Sequence, residues 1–363
     1  MRIKANDEQQ FLEQVFVKRG FSTVNSQLLA ETLVDADLRG ISSHGIQRLA
    51  WYLRMVDDGT IQPQNSVKTL KESPTSLFLD ANQNMGQIAC FQAMTSLIQK
   101  AQKSSIAMAV IKNSNHFGTA GYWARMAVKK GLIGIATTNT RPLVVPTNAT
   151  EAFLGSNAFA FTFPADPHPF VFDGATSVVS SGKIQVLAKN KQPIPGQWAV
   201  DADRQVVKNA DEAEDLLATA AFTPHQKGGG VLTLGGNQEQ NSNYKGFGNS
   251  LVVELLTGIL AQGSISADTS VGKHDFSQFL MVIDPGFFGD LKQLQHDASA
   301  MFQRIRHLKH LPHTEIKIPG DREYRRYAEN QQNGVVVDEQ TAKELHQIGD
   351  QLNISVPHAV SNS

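Results

Sequence analysis

The chain has 363 residues, 41% hydrophobic and 18% charged, with 33 basic against 34 acidic side chains and a formal net charge of −1. That length exceeds the roughly 250–300 residues at which single cores stop growing, so two or more lobes are expected. The balanced charge offers no footprint for nucleic acid or an anionic membrane surface, and the only cysteine, Cys90, excludes an intramolecular disulfide framework and a cysteine-rich metal site.

One unpaired cysteine points to a cytoplasmic location. No apolar signal core is expected at Met1–Asp7, and no apolar run approaches the roughly 20 residues that span a bilayer. The opening stretch reads as helical. Leu12, Val15 and Phe16 repeat at helical spacing and Gly20 stops that helix. Ser22 or Thr23 caps the next, with Leu28, Leu29, Leu33 and Val34 on its stripe. After the loop Arg39–Gly45, a third helix carries Leu49, Tyr52, Leu53 and Val56 and ends at Gly59. Gln87–Lys103 reads as a fourth.

The middle of the chain changes texture. Ile106–Ile111 reads as a buried strand, Tyr122–Val128 as a helix stopped by Gly131, and Leu132–Ala136 as a second strand, which makes a parallel pairing plausible. His116 then lies past the carboxyl end of the first strand, where ligands bind in open α/β sheets. Further strands are expected at Ala158–Phe163, Val231–Leu234 and Phe279–Ile283. Helices are expected at Asp211–Ala221, Ser250–Leu260, Leu291–His307 and about Asp338–Leu352, followed by a disordered tail, Ser361–Ser363. The class is α/β, or mixed α+β, with a mainly helical N-terminal layer.

Two histidines stand in small-residue loops beside helices: Ser43-His44-Gly45 and Asn115-His116-Phe117-Gly118. Imidazole, with a reference pKa of about 6.5, is the side chain best suited to exchange protons near neutrality. Each alone is equally well a surface or capping residue. Asp173 can orient a histidine or serve a turn. Arg48 falls one turn beyond His44 and can share its face. Lys245-Gly246-Phe247-Gly248 opens the Ser250–Leu260 helix and suits an anion at a helix end, though a plain turn fits as well. The third glycine of the dinucleotide fingerprint is missing, and so are a phosphate loop, His-Glu-x-x-His and Gly-x-Ser-x-Gly.

The ordered set Arg39-x-x-x-Ser43-His44-Gly45, Asn113–Gly118, Gly131–Gly134, Gly155–Asn157, Phe172-Asp173-x-Ala175-Thr176-Ser177, Trp198–Asp201 and Tyr244–Gly248 resembles the malate/L-lactate dehydrogenase family of the second type. The resemblance runs from about Phe11 to Asp338. It implies an NAD- or NADP-dependent oxidoreductase with a non-Rossmann cofactor domain and no metal, a homodimer, acting on a small-molecule carboxylate. Residues 1–115, joined by 315–363, would form a helical region with the substrate loop, and 116–314 the cofactor domain. His44, His116 and Asp173 fall on catalytic positions. Ser43, Arg48, Tyr52 and Arg141 fall around the substrate. His116, Gly118, Thr140, Ser156, Asn157, Asp173, Gly174, Ala175, Lys183, Tyr244, Lys245, Gly320, Asp321 and Arg322 fall along the cofactor. The family's Gly-Thr-Asn-Pro and Pro-Gly-Glu read Gly155–Ala158 and Pro319–Asp321 here, which leaves the class intact.

Three readings stay open. One is a dehydrogenase of 2-hydroxy acids of the malate or lactate kind. Another is a reductase of a cyclic imine or diketo acid, or a ureidoglycolate-type dehydrogenase, on the same fold. The last is a non-catalytic binding homologue, disfavoured by the presence of both histidines, Asp173 and Lys245. Arg141 either favours a substrate with a second anionic group, such as oxaloacetate, or faces solvent.

Overall fold

A computed structural model describes residues 1–222, 228–270 and 275–360; the expected disordered tail lies outside the described residues. The chain begins β1 (Arg2–Ile3), α1 (Ala5–Lys18), α2 (Thr23–Leu38) and α3 (Leu49–Asp57), then β2 (Lys68–Glu72), β3 (Ser76–Asp80) and α4 (Gly86–Ser104). It continues β4 (Ile106–Ser114), α5 (Ala120–Val128), β5 (Ile133–Thr138), β6 (Val144–Val145), β7 (Phe159–Phe163), β8 (Phe170–Gly174) and α6 (Ser181–Lys189). It closes β9 (Ala199–Val200), α7 (Ala210–Phe222), β10 (Gly230–Leu232), α8 (Asn243–Glu254), β11 (Phe276–Ile283), α9 (Leu291–Arg306), α10 (Asp321–Asn333), β12 (Val335–Val336) and α11 (Glu339–Leu352).

The central sheet has the order β2-β3-β4-β11-β5-β7-β8. The direct parallel pairing expected between Ile106–Ile111 and Leu132–Ala136 does not form. β11 lies between them, antiparallel to both, and Leu280 pairs with Ala109 on one side and Ala136 on the other. Six of the eight β11 residues are buried, so this strand is stable only with neighbours on both edges and cover on both faces. β4 and β5 therefore run in the same direction without touching. β3 is parallel to β4, and β8 returns to the direction of β5 through antiparallel β7. The carboxyl ends of β3, β4, β5 and β8 consequently converge at one end of the sheet. That end carries His116 after β4, Thr140 and Arg141 after β5, and Asp173 in β8.

Helix α4 covers the sheet with Ala89, Ala93, Leu97 and Ala101, one apolar residue per turn and three of them alanine, which lets it lie close to Ala107, Ala109 and Ile111 of β4. A second core joins α1–α3 to Val335, Val337, Leu345 and Ile348 near the C-terminus. A third packs Val144, Leu154, Ile184, Ala199, Leu217 and Val231 together. The sheet takes strands from both sides of residue 115. Among the described residues no helix is long and apolar enough to cross a membrane, and none group as three or more metal ligands.

Candidate active site

The His44 loop is built by two short 3-10 turns, Ser42–His44 and Ile46–Arg48, with Gly45 extended between them. His44 and Arg48 thus do not share a helix face. Arg48 instead folds back, its Nε donating to the Ser43 carbonyl at 2.5 Å. Asp37, near the end of α2, holds the loop from below: its Oδ2 accepts from the Ile46 N–H at 2.6 Å. A Cβ on Gly45 would lie 2.0 Å from that carboxylate, so only glycine fits.

His116 is positioned by the end of β4 and by α3. Its Nδ1 lies 2.6 Å from Tyr52 Oη and 3.3 Å from the Gly118 nitrogen. Gly118 has φ +77, the backbone state that glycine adopts freely and that turns its N–H back toward the ring. The His44 and His116 rings stack with centroids 5.4 Å apart, and Trp51 meets His116 edge-on at 5.5 Å. Ser43 Oγ is 2.9 Å from His44 Nδ1. Arg48 and Arg141 both approach the Trp51 ring, at 5.5 and 5.7 Å from its centroid. His44, Arg48, His116 and Arg141 are half-buried, closely surrounded by protein yet open on one side.

This arrangement is electropositive. Burial pushes the His44 imidazole down to about 3, with Arg48 adding to the effect. Burial also holds His116 well below the ordinary histidine range, reinforced by His44, Arg48 and Arg141. Both rings are therefore neutral near pH 7. Arg141 is lowered by burial and by Arg48, with Asp58 partly offsetting the field. Two guanidiniums and two neutral imidazoles around one indole form a site for an anion with an exchangeable proton.

Ser43, His44, Arg48, Tyr52, His116, Gly118 and Arg141 come together as expected of one site, and Arg141 does not simply face solvent. Thr140 and Ser156 sit beside them: Ser156 N donates to Thr140 Oγ1 at 2.9 Å, and the two hydroxyls are 3.3 Å apart. Gly174 and Ala175 follow, tied to this loop by Thr176 N and the Ser156 carbonyl at 2.9 Å. Lys183 is exposed in the first turn of α6, which touches Ser43 through Gly182. Tyr244 and Lys245 are exposed, and they lie inside the first turn of α8 rather than before it. Gly320 packs against Val171 of β8 at the start of α10, and Arg322 is exposed one residue past Asp321.

Three of the expected residues have protein partners of their own. Asn157 is fully buried and is held by Glu254 at 2.8 Å and by Ser250, so it shapes the loop from beneath. Asp321 is bound to Arg306 at 2.8 Å and to the Ile318 N–H at 2.9 Å, a local anchor for α10. Asp173 is neither a turn residue nor hydrogen-bonded to an imidazole. It is a β8 strand residue whose Oδ2 accepts from Gly121 N at 2.7 Å at the start of α5. It keeps an open side to solvent, yet the crowding protein raises its carboxyl above the ordinary range, against the Gly121 bond and Arg125.

The sequence reading missed Trp51, Gln87, Asp37 and Glu8. Glu8 is wholly buried in α1, and Asp37 is almost so. Burial raises Glu8 well above the usual carboxylate range with Asp37 adding to it, and burial raises Asp37 to about 7 against its Ile46 bond. A carboxyl raised in the folded state is most stabilising when protonated. Stability from this pair is full below the unfolded carboxylate pKa of about 4 and falls as pH rises toward 7 and beyond. Glu8→Gln keeps a neutral partner for Asp37 at all pH values. Its thermal midpoint should fall less than that of the wild type between about pH 4 and 8. Parallel melting curves by circular dichroism check this; identical pH slopes would remove the pair as a titrating unit.

The sequence profile described as malate/L-lactate dehydrogenase matches residues 3–346. A malate dehydrogenase of Pyrococcus abyssi is 33% identical over 358 residues, covering 98% of this chain and 96% of that protein. A malate/(S)-sulfolactate dehydrogenase of Methanothermus fervidus is 29% identical, covering 98% and 99%. The crystal structure of malate dehydrogenase from Entamoeba histolytica superposes with a TM-score of 0.93 at 28% identity, covering 99% of each chain. On the extent of that match and the assembled pair of histidines, the chain belongs to the malate/L-lactate dehydrogenase family.

Proposed function

We propose that this chain interconverts a small 2-hydroxy acid and its 2-oxo acid with NAD or NADP, and that a dicarboxylate of the malate and oxaloacetate kind is its preferred substrate. The observation that carries this reading is the convergence of Arg48 and Arg141 on Trp51 beside two neutral, stacked imidazoles. A monocarboxylate needs one guanidinium; two held together against their own repulsion favour a second anionic group. The malate and sulfolactate enzymes among the relatives, whose named substrates carry two acidic groups, support the same choice over a cyclic imine.

The residues at the sheet end fit a nicotinamide dinucleotide. The hydroxyls of Thr140 and Ser156 and the exposed ammoniums of Lys183 and Lys245 suit phosphate oxygens, and a Cβ on Gly248 would meet nothing within 4 Å, which leaves room above α8. Gly174, Ala175, Tyr244, Gly320 and Arg322 border the same region, and the open side of Asp173 suits a carboxamide N–H. When bound, that cofactor supplies the hydride chemistry. The protein's part is to bind, orient and manage the proton. Arg48 and Arg141 clamp the carboxylates. The indole of Trp51 keeps water off the guanidinium faces. Neutral imidazole is the form that can accept the hydroxyl proton in the oxidative direction.

The lobe division at 1–115 with 315–363 against 116–314 is supported by the core that joins α1–α3 to the C-terminal segment. A homodimer is supported by the exposed apolar stripe Leu251, Val252, Leu255, Ile259 and Leu260 on and after α8. A buried, reduced Cys90 is consistent with a cytoplasmic location. The function is tested by following the near-ultraviolet absorbance of reduced nicotinamide against a panel of 2-oxo acids and cyclic imines. Oxaloacetate should be reduced most efficiently; preference for a cyclic imine would replace the reading with the reductase alternative.

A further inference from the structure

His116 ends a hydrogen-bond chain whose direction is set by its donors. Gln87 Nε2 lies 3.2 Å from Tyr52 Oη, and Tyr52 Oη lies 2.6 Å from His116 Nδ1, with the Gly118 nitrogen 3.3 Å from the same Nδ1. A backbone N–H can only donate, but at 3.3 Å this contact is weak, so it favours Nδ1 as an acceptor and leaves the short Tyr52 bond to hold it there. The Gln87 amide gives a hydrogen to Tyr52 Oη, which leaves the phenolic hydrogen for Nδ1. Turning the amide round would strand both buried N–H hydrogens of Gln87, whereas the present orientation uses one of them and leaves the carbonyl oxygen without a partner. Tyr52 is 1% exposed, and burial raises its phenol above the ordinary range despite Arg48 and Gln87, so it remains a donor. A neutral imidazole with Nδ1 occupied in this way bears its hydrogen on Nε2.

We infer that Gln87 and Tyr52 are positioning residues that lock His116 in the tautomer with its hydrogen on Nε2, so that His116 meets the substrate oxygen as a neutral donor. The inference rests on the reading of this site as a dehydrogenase centre. A protonated His116, a third cation beside Arg48 and Arg141, would be disfavoured, whereas a neutral N–H adds no charge. Such a donor, fixed in advance, strengthens its hydrogen bond as negative charge develops on the substrate oxygen. The proton exchanged at the substrate hydroxyl is then carried by His44. Its neutral ring takes the O–H proton in oxidation and returns it in reduction.

The test is nitrogen NMR of the full chain labelled with [15N]histidine, with His116 signals identified by their loss in His116→Asn. The wild type should give a pyridine-type Nδ1 and a pyrrole-type Nε2. In Tyr52→Phe the bond to Nδ1 from the phenol is gone, and a mixture of tautomers should appear. In Gln87→Glu, at a pH high enough to ionise the buried carboxyl, the carboxylate can only accept, so Tyr52 turns toward it and Nδ1 should become the protonated nitrogen. Both variants should lose about 10²-fold in kcat with KM changed little. Circular dichroism and cofactor titration confirm folding, and if Gln87→Glu is unfolded, Tyr52→Phe reads the same tautomer with less disturbance. A wild type protonated on Nδ1, or folded variants that keep the Nε2 hydrogen, would overturn the clamp. The expected tautomer in a chain that turns over no 2-oxo acid would remove the dehydrogenase reading and leave the clamp standing.

Discussion

Replacing His44 by alanine should lower kcat by about 10²–10⁴-fold, the range for a lost acid–base group. The cause is local: His44 is neutral, lies 5.4 Å from His116 ring to ring, and sits on a loop pinned by Asp37. His116→Ala should cost about 10²–10³-fold, as for a lost donor to developing negative charge. Cofactor titration by calorimetry should give near wild-type affinity for both variants, since neither loss touches Thr140, Ser156 or Lys245. The pH profile carries the sign. A base must be unprotonated, so kcat/KM for oxidation is lost as pH falls, and with His44 pushed down to about 3 that limb lies far below neutrality. Near wild-type turnover in both variants would take both histidines out of the reaction.

Arg141→Met should reduce the preference for oxaloacetate over pyruvate by tenfold or more, about 1.4 kcal/mol. A guanidinium binds a carboxylate through two parallel hydrogen bonds and gains little from the methyl group of pyruvate. Arg141 follows β5 at the sheet end, is half-buried and reaches Trp51 at 5.7 Å. Arg48→Met should lower efficiency on both substrates alike, because the carboxylate it would hold is common to them. Steady-state kinetics on both substrates decide it: an unchanged ratio in Arg141→Met removes that residue from substrate selection.

The helices with strong apolar stripes were legible in the sequence, as were the buried runs that became β4, β5, β7 and β11. The sheet order was not. The insertion of β11 between β4 and β5 joins segments far apart in the chain, and local periodicity is blind to such pairing. Helix α10 was missed because Asp321–Asn333 has no apolar stripe and buries none of its side chains fully. Arg39, Tyr324 and Tyr327 hold it instead, with the Arg39 guanidinium 5.2 and 4.9 Å from the two rings.

The site was legible where residue type announces chemistry, as with His44, His116 and Arg48. It was obscure where a polar residue acts from within the core. Glu8 reads as an ordinary first-turn acid of α1, and Gln87 as an ordinary residue at a helix start. Only their burial, at 0% exposure for both, marks them as unusual. Asp173 and Asp321 show the converse. Their residue type fits a ligand, but a backbone N–H and an arginine already hold them.

The central claim is that this fold and its paired histidines carry out hydride exchange on a small dicarboxylate. The most direct measurement is consumption of NADH and of NADPH by the purified wild-type chain with oxaloacetate, followed by near-ultraviolet absorbance. The value of kcat/KM should fall in the ordinary enzyme range, about 10⁴–10⁸ M⁻¹s⁻¹, with at least one of the two cofactors. No consumption of either cofactor with oxaloacetate or any other 2-oxo acid, by a chain that binds the cofactor, would contradict it.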